Sequence, residues 1–392
     1  MLVLQALGSN GSGQLGLGHT DDVSTPQPVL LPSDLFTTTN SNSTEPSDQH
    51  PQPKLLSISA GGNHTLLLFS SGILLWSGDP TTGACGRVEP TPPTSADTPG
   101  SSPPAPRFRP VDLTPLPEDV RRNVSLVTAT WEASIIATSS LPTDKVYSFG
   151  SGAKGELGLG PGTLRAGEPT LIPNFPALGT KVVHLAACMG HVVAVLSNGE
   201  AWGWGNGRKG QLGEPAVGVV YSPRRIEGVD FKVAKAVCGR EFTCLFGPPE
   251  SGEVLVLGSD KWGVKSQAPK MVKGWKEVGA GWGSVYVLKE DGTLLSWGRN
   301  DHGQMAPEDL GRVRAIAVGS EHAMALTDAG DLMAWGWGEH GNCGPICGPI
   351  CANDGPKGQQ NKIASIGPEI KIAMIGAGCA TSWIALEKAP ST

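Results

Sequence analysis

Two short stretches recur along this chain, and their repetition constrains the fold more than any other feature of the sequence. The first is a run of β-compatible residues that ends in small residues and glycine, as in residues 55–68. The second follows it and ends in a glycine-rich turn, as in residues 72–86. Six copies contain both stretches, whereas residues 2–18 hold only the second and residues 377–386 only the first. The two termini therefore complete a seventh copy together.

Each copy contains short apolar runs separated by glycine turns, a pattern that is typical of β-strands. A single sheet of this kind cannot bury both of its faces, so neighbouring sheets must stack around a common axis. The sequence therefore predicts an all-β fold, a single seven-bladed β-propeller over residues 1–392, closed by pairing of the N- and C-terminal segments in one shared blade. Two segments rich in Pro, Ser and Thr, residues 32–54 and 87–110, are predicted to be disordered or flexible insertions.

Constant positions of the repeat are predicted to hold the ring together. The glycine that ends the strand of the second stretch recurs at intervals of 40 residues, at Gly258, Gly298 and Gly338. Tryptophan recurs nearby and is expected to fill the space between blades, since each ring can bury about 150–250 Å². The tryptophans of this column are Trp76, Trp202, Trp297 and Trp335. Histidine recurs at a further position, where repetition favours a structural hydrogen bond to the backbone of the next blade. These histidines are His64, His191 and His322.

The composition argues against several classes of function. The formal net charge is −6 and no long basic run occurs, which argues against binding to nucleic acid or to an anionic membrane. No run of about 18 apolar residues exists, and the apolar N-terminus is too short for a signal peptide. The eight cysteines are therefore expected to be reduced thiols of an intracellular protein, located in the cytoplasm and also in the nucleus.

Chemistry-bearing motifs are scarce. No Gly-x-Ser-x-Gly elbow and no Walker-type loop occurs, so we expect neither catalytic residues nor a cofactor. The one cluster of metal-ligand residue types is His340, Cys343, Cys347 and Cys351, but its spacing departs from Cys-x2-Cys and contains a repeated Gly-Pro-Ile-Cys. We therefore favour a free thiol loop without a metal, with a zinc site and a redox role as alternatives.

The two residues that follow the first glycine of each repeat differ from copy to copy. All seven pairs should ring one face of the propeller around its axis. Trp, Met and Arg are common among residues that dominate binding energy at protein interfaces, so this ring is predicted to bind a protein partner. The alternative is that the pairs are ordinary solvated loop tips. The predicted partner-binding residues are Trp131, Glu132, Met189, Arg240, Glu241, Trp282 and Glu321.

The repeat motif resembles a known family. The combination of Gly-x-x-His-[Ser/Thr] with a following Trp-Gly and Gly-Gln-Leu-Gly is similar to the regulator-of-chromosome-condensation repeat, which implies a seven-bladed propeller. Residues 6–27 together with residues 336–344 resemble the fungal alpha-tubulin-suppressor branch of that family, whose members are also called killer-toxin-insensitivity proteins. This resemblance implies a non-enzymatic propeller that forms a heterodimer with a small CSL-type zinc protein. It also implies support of diphthamide synthesis on elongation factor 2 and, through Elongator indirectly, of wobble-uridine modification in tRNA.

Three other functions are open. The founding member of the family is a guanine-nucleotide exchange factor for a small GTPase, but exchange needs a rigid wedge and neither Pro-rich insertion resembles one. A photoreceptor would need a cluster of tryptophans beside arginine on the face, and only Trp131 and Trp282 are expected there. A metal or redox enzyme would have to be built on the cysteine loop.

Overall fold

The computed structural model describes residues 2–33, 53–88, 105–139, 142–345, 361–365 and 370–388. Their strands form seven antiparallel sheets, which confirms the predicted seven-bladed propeller. The helical elements of the described residues are α1 (Glu118–Arg121) and a 3-10 turn at Lys261–Gly263. No helix in the part of the chain that the structure describes is long and apolar enough to cross a membrane.

Each blade runs from an inner strand beside the axis to an outer strand at the rim. The chain begins with the two outer strands of blade 7, which are β1 (Val3–Gly8) and β2 (Val23–Pro28). Blade 1 consists of β3 (Leu55–Ala60), β4 (His64–Phe69), β5 (Leu74–Gly78) and β6 (Arg109–Pro110). Blade 2 consists of β7 (Val124–Ala129), β8 (Ala133–Thr138), β9 (Lys145–Ser151) and β10 (Arg165–Leu171). Blade 3 consists of β11 (Val182–Cys188), β12 (His191–Leu196), β13 (Ala201–Asn206) and β14 (Val219–Arg225).

The second half of the ring follows the same order. Blade 4 consists of β15 (Lys235–Cys238), β16 (Phe242–Phe246) and β17 (Val254–Gly258). Blade 5 consists of β18 (Trp275–Ala280), β19 (Ser284–Lys289) and β20 (Leu294–Gly298). Blade 6 consists of β21 (Val313–Val318), β22 (His322–Thr327), β23 (Asp331–Gly336) and β24 (Asn361–Ser365). The inner strands of blade 7 are β25 (Ile370–Ala377) and β26 (Thr381–Lys388).

The termini close the ring as predicted. Strand β26 pairs antiparallel with β1 from the Val3–Leu386 pair to the Gly8–Thr381 pair, so the first and last strands share one sheet. A contact beside this seam joins blade 6 to blade 7, because His340 Nδ1 lies 2.7 Å from Asp22 Oδ2. Closure by strand pairing leaves no open edge at the junction.

The second strand of each blade is the most deeply buried element. Every residue of β4, β8, β12 and β22 is buried. Both faces of such a strand pack against neighbouring blades, which explains why the sequence shows continuous apolar runs there instead of an alternating pattern. The core is therefore a series of layers between blades, with the axis left as a channel.

The third strand of every blade has a glycine with φ between +102° and +121° as its last residue or, in β9 and β13, as the residue before the last. This glycine pairs with the first residue of the second strand. A Cβ atom added to the glycine would collide with the carbonyl oxygen of the residue just before that strand. The prediction of Gly338 as this glycine of blade 6 is wrong by two residues. The segment Trp335-Gly336-Trp337-Gly338 matches the Trp-Gly motif twice, and strand pairing shows that Gly336 is the glycine opposite His322. The seven equivalent glycines are Gly8, Gly78, Gly150, Gly205, Gly258, Gly298 and Gly336.

The tryptophan column also needs correction. The residue before the constant glycine is Trp204, Trp297 or Trp335 in three blades, and each indole N–H donates to a backbone carbonyl at 2.8–3.0 Å. Trp202 is not equivalent to them: it is half-buried and donates to Glu200. Trp76 lies one position earlier in its repeat and is buried. The predicted packing between blades is thus confirmed for Trp297 and Trp335, and Trp204 takes the position that was predicted for Trp202.

The repeated histidines are structural, as predicted. His64, His191 and His322 are buried, and the Nε2 atom of each lies 2.9–3.1 Å from a hydroxyl of the next blade. The partner is a side chain and not the expected backbone. The hydroxyls belong to Ser134, Thr243 and Ser382.

Most of both predicted insertions, residues 34–52 and 89–104, lies outside the described residues. The end of the second insertion belongs to the fold, which corrects its predicted boundary. Phe108 is buried and packs edge-on against Trp383, with ring centroids 6.0 Å apart. Arg109–Pro110 then forms β6 beside β5.

Candidate functional site

The loops between the first and second strands lie together at one end of the axis and carry the seven variable pairs. Neighbouring loops are joined through their backbones, since the Trp131 N–H donates to the Met189 carbonyl at 2.9 Å. On the other side of the ring the Trp282 N–H donates to the Ser320 carbonyl at 2.7 Å. Because the backbone makes these contacts between blades, the side chains at these positions are free to differ.

Two of the predicted residues meet across the axis. Trp131 belongs to blade 2 and Trp282 to blade 5, yet their ring centroids are 6.1 Å apart with planes tilted by 45°. Both rings line an axial cavity of about 170 Å³. The Trp131 ring also lies directly over Gly62, where a Cβ atom would contact the indole. The two tryptophans therefore form a partial cap on the mouth of the channel.

The cavity beneath this cap is small, and the thiols in its wall are unreactive. Its wall includes the small residues Ala60 and Ala280, as expected for the crowded inner end of the strands. It also includes the thiols of Cys188, Cys238 and Cys379. Burial raises the pKa of Cys238 to about 12 and that of Cys188 well above its ordinary value. These thiols are therefore protonated and poorly nucleophilic near neutral pH.

A second aromatic group lies on the same face and was not predicted. The Arg299 guanidinium carbon lies 4.9 Å from the ring centroid of Trp262 and 6.0 Å from that of Trp337. Trp337 in turn stacks on His302, with centroids 4.1 Å apart and planes at 4°. Trp262 and Trp337 are 41% and 38% exposed, so both rings remain accessible. The face thus carries four tryptophans, twice the number expected from the sequence.

An ionic network fixes Arg299. Its guanidinium forms a fork with both oxygens of Asp301, at 2.6 and 3.0 Å, and also bonds Glu321. The Gln304 amide donates to the other oxygen of Glu321 at 3.0 Å. Burial raises the pKa of Glu321, while Arg299 and Gln304 act in the opposite direction. Partial burial would also raise the pKa of Asp301, but its hydrogen bonds from Arg299, His302 and Gln304 outweigh this and lower it.

A groove of about 310 Å³ separates Trp262 from Trp282. Its rim carries Arg240 and Lys261, which are both exposed. The Arg240 guanidinium carbon lies 5.6 Å from the Trp282 centroid, and the Lys261 ammonium lies 5.0 Å from the Trp262 centroid. Cations in this geometry are attracted to the faces of the rings. The groove therefore combines two aromatic walls with two cations.

Unusual backbone geometry is concentrated on this face. The described residues include four non-glycine residues with positive φ, and three of them lie in its loops. They are Met189 at 49°, Trp262 at 68° and Ala380 at 52°. A left-handed conformation costs an L-residue about 1–2 kcal/mol, and such residues cluster at functional sites. The strain at Trp262 is notable because it accompanies an exposed indole.

The structure brings together most of the predicted residues. Trp131, Met189 and Trp282 surround the channel mouth, and Arg240 and Glu241 line the groove. Their role in binding a partner stays a prediction. Glu132 is exposed on the blade 2 loop, outside the groove lining. Glu321 is only 8% exposed and is engaged by Arg299, so the structure gives it an organising position beneath the surface.

The cysteine loop is described only in part. Cys347 and Cys351 lie outside the described residues. Cys343 is buried between blades, where burial raises its pKa to about 12, and His340 is engaged by Asp22. Among the residues that the structure describes, no group of three or more His, Cys, Asp or Glu side chains is arranged to hold a metal ion.

Comparison with known proteins supplies the family. The sequence pattern of the RCC1-like domain matches residues 3–384. An RCC1 repeat-containing protein of Schizosaccharomyces pombe is 30% identical over 329 residues, covering 82% of this chain and 83% of that protein. The secretion-regulating guanine nucleotide exchange factor of Mus musculus is 28% identical over 327 residues, covering 77% of this chain and 61% of that protein.

Solved structures agree on the fold. Prp20p from Saccharomyces cerevisiae superposes with a TM-score of 0.73 and covers 100% of this chain and 92% of its own. The sequence identity is 18%, so this likeness concerns the fold alone.

Proposed function

Because the chain belongs to the RCC1-like domain family, whose pattern spans residues 3–384, we propose that it is a non-enzymatic adaptor that binds a protein partner through the axial face. The observation that carries this proposal is the concentration of partly exposed tryptophans and cations on this face: three tryptophans and two exposed cations line the channel mouth and the adjoining groove, and a fourth tryptophan lies beside Arg299. Aromatic side chains that stay exposed to water do not stabilise a monomer, whereas the same side chains contribute to binding when a partner protein buries them.

We further propose that the partner is a small CSL-type zinc protein and that the pair acts in diphthamide synthesis on elongation factor 2 and in Elongator-dependent modification of wobble uridines. Support comes from the resemblance of residues 6–27 and 336–344 to the fungal alpha-tubulin-suppressor branch. These two segments pack together where the ring closes, with Gly341 against Val23 and Ser24. Such a complex would form in the cytoplasm and also in the nucleus.

The test is affinity purification of the tagged protein from cell extract followed by mass spectrometry. Stoichiometric recovery of a CSL-type zinc protein is expected. Its affinity should then be measured by calorimetry with the purified components. Loss of the gene should lower diphthamide on elongation factor 2 and wobble-uridine modification, both measured by mass spectrometry. Normal levels of both modifications would contradict the assigned pathway.

An exchange factor for a small GTPase is the second candidate, favoured by the 28% identity to the mouse secretion-regulating guanine nucleotide exchange factor. Exchange requires a group that enters the nucleotide site and displaces magnesium or phosphate. The same purification would recover a GTPase instead of a zinc protein. Release of a fluorescent nucleotide from that GTPase would then accelerate in the presence of the propeller.

A further inference from the structure

We propose that the groove between Trp262 and Trp282 is the specificity pocket of the axial face and that it receives an acidic side chain, Asp or Glu, from a peptide segment of the protein partner. This inference rests on the proposed function only in taking the partner to be a protein.

The charges of the groove are divided into two kinds. Arg299 is already neutralised, because Asp301 and Glu321 both bond its guanidinium. Arg240 and Lys261 are exposed, and neither forms an ion pair among the described residues of the chain. Glu241 lines the same groove and likewise forms no ion pair among the described residues, so the unpaired charges are two positive and one negative and their sum is positive.

Both cations lie beside an aromatic ring and remain available to a carboxylate. The Arg240 guanidinium carbon lies 5.6 Å from the Trp282 centroid, and Arg240 forms no ion pair among the described residues. A guanidinium can donate two parallel hydrogen bonds to one carboxylate. Lys261, held over Trp262 on the opposite wall, supplies a second donor.

The surroundings limit the ligand to a discrete acidic group. Glu241 and Glu321 line the same groove, and the net charge of the protein is −6. A nucleic acid strand would bring several phosphates against these carboxylates, whereas a single Asp or Glu side chain can reach Arg240 and Lys261 and avoid them. Trp262 adds support, because its strained backbone holds an exposed ring as the wall of this groove.

The experiment uses the intact protein and two probes. One is a peptide with a single acidic residue, Gly-Ser-Glu-Ser-Gly, with blocked ends and an uncharged fluorescent label, matched with its Gly-Ser-Gln-Ser-Gly counterpart. The other is the purified CSL-type zinc protein. The test variant is Arg240→Glu/Lys261→Glu, and the control is Arg208→Glu/Lys209→Glu, which reverses two exposed charges in the blade 3 turn outside the groove. Arg240→Gln/Lys261→Gln provides a milder variant if charge reversal impairs folding.

We expect the acidic peptide to bind the wild type at low salt at least tenfold more tightly than the amide peptide. The test variant should lose at least tenfold in affinity for the acidic peptide, and the control should keep it. Equal binding of the two peptides, or tighter binding of a labelled single-stranded oligonucleotide through Arg240 and Lys261, would overturn the inference. If the zinc protein does not bind but the acidic peptide does, the groove keeps its assigned specificity and the CSL-type zinc protein is rejected as the partner. If the zinc protein binds the test variant with unchanged affinity, the groove is rejected as the specificity pocket and the proposed function stands.

Discussion

Trp131 and Trp282 meet over the mouth of the axial channel with their ring centroids 6.1 Å apart, although they belong to blades on opposite sides of the ring. Each is held by the backbone of its loop, which donates to the neighbouring loop, so the pair is positioned before any partner arrives. Binding to a preorganised aromatic pair orders few side chains and therefore loses little entropy.

Truncation of either indole is expected to weaken partner binding without unfolding the ring. Trp131→Ala and Trp282→Ala should each raise the dissociation constant at least tenfold, because aromatic residues that fill the centre of an interface contribute about 2 kcal/mol or more. Calorimetry with the purified partner measures the effect, and thermal unfolding checks that the fold is intact.

The matched control for these variants is Trp202→Ala. Trp202 is a half-buried tryptophan of β13 that packs against Phe175, with centroids 5.6 Å apart, and it does not line the axial cavity. Its loss should leave the affinity unchanged. Unchanged affinity in both Trp131→Ala and Trp282→Ala would remove the channel mouth from the interface.

Removal of Arg299 is expected to destabilise the protein far more than removal of an exposed arginine. Arg299→Ala would leave the carboxylate of Glu321 buried without its counter-charge, which typically costs about 3–5 kcal/mol. Arg312→Ala is the control, because the side chains of its ion pair with Asp328 are 69% and 55% exposed. Such a surface pair contributes about 1 kcal/mol or less.

Urea unfolding of the single variants and of Arg299→Ala/Glu321→Ala measures this coupling. The double variant should be more stable than the sum of the two single losses predicts. Additive losses would mean that Arg299 and Glu321 are not energetically coupled.

The fold was predictable from sequence because the repeat is counted without knowing any contact. Seven copies, one of them divided between residues 2–18 and 377–386, determine both the number of blades and the mode of closure. The register was harder to predict where a blade contains Trp-Gly-Trp-Gly, since two glycines match the motif and only strand pairing shows that Gly336 is the constant one. This error placed Trp337 inside the constant motif, as the residue before Gly338, so its difference from the equivalent residues of the other blades went unnoticed.

The site was predictable only in part, for a related reason. In the correct register the residue after the constant glycine is small or polar in most blades, but it is Arg299 in blade 5 and Trp337 in blade 6. That deviation is a signal that the sequence contains. The contact between Trp131 and Trp282 and the left-handed backbone of Trp262 have no such signal, because they depend on the geometry of the ring.

Substitution of Gly336, the constant glycine of blade 6, is expected to destabilise the protein. Gly336→Ala places a Cβ atom against the carbonyl oxygen of Glu321 in a backbone with φ of +105°, and the left-handed conformation alone costs about 1–3 kcal/mol. The melting temperature should therefore fall by several degrees. Gly162→Ala is the control, because Gly162 has no heavy atom near its added Cβ and no positive φ. If the two variants melt at the same temperature, Gly336 is not the constant glycine.

The buried histidines predict how stability depends on pH. Burial lowers the pKa of His64, His191 and His322 to about 4, whereas an unfolded chain has histidines with a pKa of about 6.5. Between these values the unfolded state binds more protons than the folded state, so the free energy of unfolding must fall as the pH is lowered from about 6.5 to about 4. Each histidine contributes up to about 1.4 kcal/mol per pH unit to the slope of the unfolding free energy against pH. Below the folded pKa the histidine is protonated in both states, and its contribution to the slope vanishes.

Urea unfolding of the wild type and of His322→Gln at several pH values tests this prediction. The glutamine amide can still donate to the Ser382 hydroxyl, which His322 contacts at 2.9 Å, but it does not titrate. His322→Gln should therefore be less stable than the wild type near pH 7.5 yet lose less stability on acidification, with the slope reduced by the contribution of about one proton. Parallel pH profiles for the two proteins would show that His322 is not neutral in the folded state or does not change its pKa on unfolding.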